Sequence, residues 1–164
     1  MPKLIHNIVV TVFEKSKEKI ENHEKIFQFL LPVDFRKENV DVSIESVEGF
    51  NQKIIYILRL KTEKSSHNKH LINILFSNLS GKDRKSIGKQ YLTRLSSEGY
   101  FFIRLKKDKL LHQKFELTDG GDCYHMKIKL AGFPAKWDEF VKTAELLLSK
   151  YDCLEDKKIS ERES

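Results

Sequence analysis

The sequence predicts an α+β fold, a two-layer sandwich in which helices cover one face of a mainly antiparallel sheet. Three observations support this prediction. Several short segments alternate apolar and polar side chains, as strands do, whereas longer segments repeat apolar side chains at helical spacing. Short turns join most of the strand segments, which favours hairpins over parallel crossovers. With 164 residues, 40% of them apolar, the chain can build one core, so we expect one domain at 1–150 and a polar tail at 151–164.

The first half of the chain reads as β-α-β-β. Residues 4–13 are rich in β-branched side chains and predict a strand. The segment 16–31 places its apolar side chains and His23 on one helical face, and a proline follows it. Apolar and polar residues alternate over 40–45, and a Gly-Phe-Asn turn leads into a further strand at 53–61. We expect these last two strands to form a hairpin.

The second half reads as α-α-β-β-β-α, which gives the order β-α-β-β-α-α-β-β-β-α for the whole chain. Helical spacing recurs over 66–79 and again as far as Leu95, with a break and a capping signal at Ser80. Three strands are predicted next, at Tyr100–Lys106, Leu110–Thr118 and Cys123–Ala131. An Asp-Gly pair between the last two indicates a hairpin turn. A final amphipathic helix follows Pro134.

Motifs of common enzyme and cofactor sites are missing from the sequence. A phosphate-binding loop around Lys82 would need Gly at 76 and Ser or Thr at 83, where Phe and Asp stand. The chain also has no GxGxxG pattern for a dinucleotide. We therefore expect no catalysis, no cofactor and no metal. A metal-dependent hydrolase that uses Asp119, Asp122 and His125 is kept as a minor alternative.

The cysteines and the N-terminus bear on the compartment. The two cysteines do not form a CxxC pair, so neither a zinc ribbon nor a disulfide scaffold is indicated. The first residues lack the pattern of a secretory signal, and no apolar run reaches the length of a membrane span. We expect a cytoplasmic protein with reduced thiols and no membrane partner.

Positive charge is concentrated in the middle of the chain. The net charge is +6 and the isoelectric point is about 9.2. Residues 59–114 hold 14 basic and 4 acidic side chains, whereas the segments on either side are slightly acidic. A field of this kind attracts polyanions, and RNA is the polyanion we consider first.

Strand alternation predicts that many of these cations share one face of the sheet. In Tyr100–Lys106, every second side chain is apolar, which leaves aromatic and basic side chains on the opposite side. The helix-free face is expected to carry Arg59, Lys61, Arg104, Lys106, Lys114, Lys127 and Lys129 around Tyr100 and Phe102. Such a face could bind RNA, with cations on phosphates and aromatic rings on unstacked bases. A homodimer interface and an inert solvated face are the alternatives.

The stretch 103–136 resembles an archaeal family of small proteins described as predicted RNA-binding proteins or exosome subunits. The shared pattern is an Arg-Leu-Lys segment at Arg104, the run Leu-Thr-Asp-Gly-Gly-Asp from Leu117, a basic alternating strand, and Pro-Ala-Lys ending at Lys136. The likeness extends in pattern over most of the chain. The fold of that family is similar to that of the ribosomal protein that contacts the small rRNA of the central protuberance.

The resemblance implies an RNA-binding domain that acts in RNA processing, with the exosome, or on the ribosome, without catalysis. Phosphate contacts are expected from Arg59, Lys61, Arg104, Lys106, Lys107, Lys127, Lys129 and Lys136, with Tyr100 and Phe102 as stacking surfaces. The alternative function is a homodimeric assembly or adaptor protein whose open sheet face binds protein.

Overall fold

Five strands and five α-helices make up residues 3–155, the part of the chain that this computed structural model describes. In chain order they are β1 (Ile5–Glu14), α1 (Ile20–Leu30), β2 (Asp41–Glu48), β3 (Ile54–Thr62), α2 (Ser65–Asn78), α3 (Gly81–Arg94), β4 (Tyr100–Lys106), α4 (Lys107–Leu110), β5 (Cys123–Leu130) and α5 (Trp137–Ser149). The predicted α+β class is confirmed.

The strands form a five-stranded sheet in the order β2-β3-β1-β5-β4, and every neighbouring pair is antiparallel. In the central strand β1, Val10 lies opposite Leu60 of β3 on one side and Met126 of β5 on the other. The predicted hairpin is present as β2–β3. Strands from both halves of the sequence therefore meet at β1, which brings cations that are distant in sequence onto one sheet.

The core lies between one face of the sheet and the helices. In β1, Ile8 and Val12 are completely buried, whereas Val9 and Thr11 remain partly exposed. β3, β4 and β5 repeat this alternation. Helical side chains that complete the core are Phe27, Leu30, Leu71, Leu75, Ile87, Ala144 and Leu148. The helices thus cover one face of the sheet and leave the other to solvent.

A buried polar chain joins α1 to two strands of the sheet. His23 is fully buried, and its Nε2 lies 2.7 Å from Oε1 of Glu14 while its Nδ1 pairs with the hydroxyl of Tyr124. A neutral imidazole satisfies both partners, since Nε2–H donates to the carboxylate and Nδ1 accepts from the phenol. Burial is the largest influence on the pKa of His23 and lowers it; the hydrogen bond and charge of Glu14 oppose this, and the charges of Lys107 and Lys19 add to the lowering. The pKa therefore ends below 6.5, which favours this neutral form.

Stability is expected to fall in mild acid because of this polar chain. The folded pKa of His23 lies below its ordinary value of 6.5, so below that pH the unfolded chain takes up a proton that the folded chain does not. Burial raises the pKa of Glu14, but hydrogen bonds from His23 and Ser16 and the charge of Lys107 together bring it below 4.5, which adds a second loss in stronger acid.

Urea unfolding between pH 7.5 and pH 4 measures this loss. We expect the free energy of unfolding to decrease steadily as the pH falls below 6.5. Burial also lowers the pKa of His125, so His125→Gln is the control that removes the contribution of that histidine. The decrease that we assign to His23 and Glu14 should persist in this variant. A free energy of unfolding that rose on acidification over this range would contradict the neutral, buried state of His23.

The segment 110–118, predicted as a strand, adopts a different structure. Its start completes the one-turn helix α4, where Leu110 is fully buried, and Gln113 adopts a positive φ of 60° that breaks an extended chain. An isolated bridge between Leu105 and Leu117 and an ion pair between Lys106 and Glu116 join the segment to β4, but no continuous ladder forms. Lys114 is consequently exposed on a turn and does not join the sheet face as predicted.

The start of the predicted tail at 151–164 packs against the helices. The ring of Tyr151 stacks on Phe76 with centroids 4.9 Å apart, and Cys153 is 2% exposed. The main chain of Cys153 runs so close to α3 that a Cβ at Gly88 would lie 1.8 Å from its carbonyl oxygen. The remainder of the predicted tail lies outside the described residues.

Candidate nucleic-acid interface

The uncovered face of the sheet gathers most of the predicted contact residues. Eight of the ten point to this face: Arg59, Lys61, Tyr100, Phe102, Arg104, Lys106, Lys127 and Lys129. The register sets them in rows across the sheet. Lys61, Lys127 and Phe102 share one row, and the next runs from Arg59 to Arg104. We call this surface the open face.

Ammonium groups cover the ring of Tyr100. The Nζ atom of Lys127 lies 4.1 Å from the ring centroid, and that of Lys129 lies 4.7 Å from it. Phe102 lies beside this group, with its centroid 6.4 Å from that of Tyr100 and 5.5 Å from that of His125. A base can stack on the covered side of Tyr100 only after the lysines move, whereas no ammonium group of the described residues covers Phe102.

The two basic residues that β3 contributes to the open face are both paired with carboxylates. Arg59 lies 3.1 Å from Glu45, and Lys61 lies 3.1 Å from Glu63. Lys106 at the far edge is likewise 2.8 Å from Glu116, whose hydrogen bond raises the pKa of the lysine. These pairs reduce the net positive charge around the residues that form them.

Apart from Lys106, the basic residues on the β4–β5 side of the open face retain their positive charge. Within residues 3–155, Arg104, Lys127 and Lys129 form no ion pair with a carboxylate, although Lys129 donates to the carbonyl of Glu98. His125 lies among them, and burial, followed by the charges of Arg104 and Lys127, lowers its pKa. Three uncompensated cations around a neutral imidazole make this half of the face the part most attractive to an anion.

Two of the predicted contact residues lie away from the open face. Lys107 is the first residue of α4, and its Nζ lies 2.7 Å from Asp122 and also donates to the carbonyl of Phe13. Its side chain is only 15% exposed, so it ties the end of β1 to the loop before β5. Lys136 is exposed at the N-cap of α5, outside the strands.

Sequence reasoning missed Arg94, in the last turn of α3. Its guanidinium donates to the carbonyl of Phe102 at 3.2 Å and to the side chain of Gln90 at 2.8 Å. Burial lowers the pKa of Arg94, the charge of Asp119 opposes this, and Arg104 lowers the pKa further. The position of Arg94 in the sequence could have indicated this contact. Because only a short connection leads from α3 to β4, the last turn of the helix must lie near that strand.

The part of the chain that the structure describes contains neither a metal-binding cluster nor a membrane-spanning helix. No three His, Cys, Asp or Glu side chains come together there in a way that could hold a metal ion. None of its helices combines the length and the apolar character needed to cross a bilayer. Cys123 and Cys153 are buried free thiols, and burial raises the pKa of both.

Comparison with known proteins agrees with the character of this surface. A family model described as RNA binding matches residues 7–130. A curated relative from Pyrococcus abyssi, named as an RNA-binding protein, is 25% identical over 147 residues, which span 90% of this chain and 96% of the relative.

Solved archaeal structures share the fold. A protein of Archaeoglobus fulgidus superposes with a TM-score of 0.74 at 23% identity and covers 87% of this chain and 99% of its own. A protein of Methanothermobacter thermautotrophicus gives a TM-score of 0.70 at 23% identity, with coverages of 88% and 98%. At this level of identity the two structures bear on the fold alone.

Proposed function

This chain belongs to the family described as RNA binding, and on that premise we propose that its open face binds RNA without catalysing a reaction. The observation that carries the proposal is a set of three cations beside the rings of Tyr100 and Phe102. Arg104, Lys127 and Lys129 form this set, and none of them is paired with a carboxylate within residues 3–155. Cations supply phosphate contacts and aromatic rings supply stacking surfaces for unpaired bases. The helices leave this face uncovered, so a nucleotide chain can reach both.

The lysines over Tyr100 are the first phosphate contacts that we propose. An exposed cation–π contact contributes about 0.5–1 kcal/mol, whereas a hydrogen bond to a charged group contributes about 1.5–3 kcal/mol. We therefore expect the ammonium groups of Lys127 and Lys129 to leave the ring and contact phosphates when RNA binds. The ring they leave can then stack on a base, which contributes about 1–3 kcal/mol more. When RNA binds, the cation–π contacts of Tyr100 are thus replaced by lysine–phosphate contacts and by stacking of a base on the ring.

The ion-paired cations make weaker contributions. An exposed pair such as Arg59 with Glu45 stabilises the fold by about 0–1 kcal/mol, so a phosphate can displace the carboxylate at little cost. The same reasoning applies to Lys61 and Lys106. Lys136 offers a peripheral phosphate contact, whereas Lys107 first serves the fold through Asp122.

For the cellular role, we propose a cytoplasmic RNA-binding domain at 1–150 that acts in RNA processing, with the exosome, or on the ribosome. The resemblance of 103–136 to the archaeal family supports this role, and the name of the Pyrococcus abyssi relative supports RNA as the partner. Neither the family description nor that name refers to an enzyme.

A protein contact through the open face, as in a homodimeric or adaptor protein, is the second candidate. Exposed apolar side chains on one end of the sheet favour it: Phe13 is 48% exposed and Val47 is 36% exposed. Phe50, at the turn of the β2–β3 hairpin, is 96% exposed. Val47 and Phe50 belong to the β2–β3 hairpin, whereas Arg104, Lys127 and Lys129 lie on β4 and β5 on the other side of β1, so the two functions can be tested separately.

Charge reversal at the open face tests the proposed function. We expect the double variant Lys127→Glu with Lys129→Glu to bind a fluorescein-labelled, unstructured 12-nucleotide RNA at least about 10-fold more weakly in fluorescence anisotropy. The slope of log affinity against log salt should also fall by about 0.7 for each phosphate that the variant no longer neutralises. Urea unfolding should change by no more than about 1–2 kcal/mol, because each exposed cation–π contact that the variant loses contributes about 0.5–1 kcal/mol.

The matched control is Lys25→Glu with Lys142→Glu, which changes the charge equally in the helix layer. We expect its affinity to stay within about twofold of the parent protein. An equal loss in both double variants, or no loss in either, would overturn the open face as the binding surface. A salt-insensitive dimer in sedimentation, without RNA binding, would instead favour the protein contact.

A further inference from the structure

A cavity of about 380 Å³ opens at the edge of the sheet beside the open face. α3 supplies Gln90, Thr93 and Arg94 to its wall, and β4 supplies Phe102 and Arg104. The loop before β5 closes it with Thr118 and Asp119. The volume lies within the usual range of small-molecule sites, roughly 300–1,000 Å³. The cavity shares Phe102 and Arg104 with the open face, so a ligand on that face can reach into it.

The cavity wall carries two guanidinium groups whose positive charges are not neutralised by an ion pair with the described residues. The guanidinium groups of Arg94 and Arg104 both reach it, and neither forms an ion pair within residues 3–155. Arg94 is held in place by the carbonyl of Phe102 and by Gln90, while its Nε is buried without a hydrogen-bond partner. Arg104 donates to the carbonyl of Asp119 at 3.4 Å, a long hydrogen bond that leaves its other donors open to a ligand. Two neighbouring guanidinium groups therefore favour an acceptor-rich guest.

The remaining wall distinguishes a base from a phosphate. The ring of Phe102 offers an apolar surface on which a base can stack, whereas a phosphate makes no favourable contact with such a surface. The carboxylate of Asp119 acts on Arg94 through its charge and would repel phosphate oxygens. The amide oxygen of Gln90 accepts from Arg94 and has a second lone pair, which would also repel a phosphate oxygen. A planar group with acceptors on one edge and donors on another matches both the two guanidinium groups and the acceptors of Asp119 and Gln90.

We propose that this cavity holds one unpaired guanine of the bound RNA, an inference that rests on the proposed function. Guanine presents O6 and N7 as adjacent acceptors, the pattern that arginine recognises, and its N1–H and N2–H₂ donors suit Asp119 and Gln90. Adenine places a donor amine where O6 stands, opposite a guanidinium, and pyrimidines lack N7. Only an unpaired base can enter, since the edges of a paired base lie within a helix groove.

Oligouridine with one central substitution tests this inference. The probes are a fluorescein-labelled 12-nucleotide oligouridine and its variants with G, A or C at the sixth position. We expect the G probe to bind at least about 10-fold more tightly than the other three, the discrimination typical of one bidentate arginine contact. A fully paired duplex that contains the same G should lose this advantage.

Cavity variants localise the preference, and the measured quantity is the ratio of G-probe to oligouridine affinity. Arg94→Gln and Asp119→Asn should each bring this ratio close to one. Lys89→Gln is the matched control, since this exposed residue of α3 lies outside the cavity wall and its substitution removes the same charge as Arg94→Gln. It should preserve the ratio. Asp119→Asn keeps the inference testable if Arg94→Gln disturbs the packing of α3 on β4.

The outcomes separate the inference from the proposed function. Oligouridine binding that depends on Lys127 and Lys129, without a preference for G, would overturn the guanine site and leave the open face in place. A ratio unchanged in Asp119→Asn and Arg94→Gln would also overturn it. If no probe binds at any salt concentration, the proposed function itself fails.

Discussion

His23→Ala should lower the free energy of unfolding by about 3–5 kcal/mol, the loss typical when a buried charged group, here the carboxylate of Glu14, is left without its partner. The substitution leaves the carboxylate of Glu14 and the hydroxyl of Tyr124 buried without their partner, and it opens a cavity under α1. Since whole domains are stable by only about 5–15 kcal/mol, this is a large fraction of the total. Urea denaturation followed by circular dichroism measures it.

His70→Ala is the matched control, because His70 lies exposed on α2. We expect its free energy of unfolding to change by less than about 0.5 kcal/mol. Tyr124→Phe removes one hydroxyl and keeps the ring, so it should cost about 1 kcal/mol. If His23→Ala proved as harmless as His70→Ala, the polar chain would not stabilise the fold in the way we describe.

Gly88→Ala should lower the free energy of unfolding by about 2 kcal/mol, although alanine favours helix. In an exposed helix this substitution gains about 1 kcal/mol. Here the new Cβ would lie 1.8 Å from the carbonyl oxygen of Cys153, and backbone atoms move only at a cost. Either α3 shifts or the segment around Cys153 detaches from it.

Gly81→Ala, in the first turn of the same helix, is the control, since no atom lies within 4 Å of the added Cβ. This variant should be neutral or slightly more stable in thermal or urea unfolding. A stabilising effect at both positions would show that Cys153 does not approach α3 as closely as described.

The parts of the fold that were predictable depend on short-range periodicity. Alternation along Tyr100–Lys106 and Cys123–Leu130 indicated which side chains face solvent, and the register confirms that arrangement. His23 was expected on the inner face of its helix. Its partner Tyr124 is 101 residues away in sequence, and no local pattern indicates such a contact.

The errors have physical causes as well. The apolar spacing in 110–118 suits a strand, but burial of Leu110 in α4 and the left-handed backbone at Gln113 prevail over it. The cavity escaped prediction because Arg94 on a polar helix face is indistinguishable in sequence from a solvated arginine. Only the packing of α3 against β4 brings it next to Arg104.

Core and open-face residues alternate along the same strands, and this arrangement has an evolutionary consequence. Exchange of one exposed side chain for another leaves the core untouched, so specificity can drift freely by substitution. Insertion or deletion of one residue within β5 would instead turn Lys127 and Lys129 into the apolar interior. We expect related proteins to differ in the exposed side chains of these strands while the number of residues in each strand stays constant.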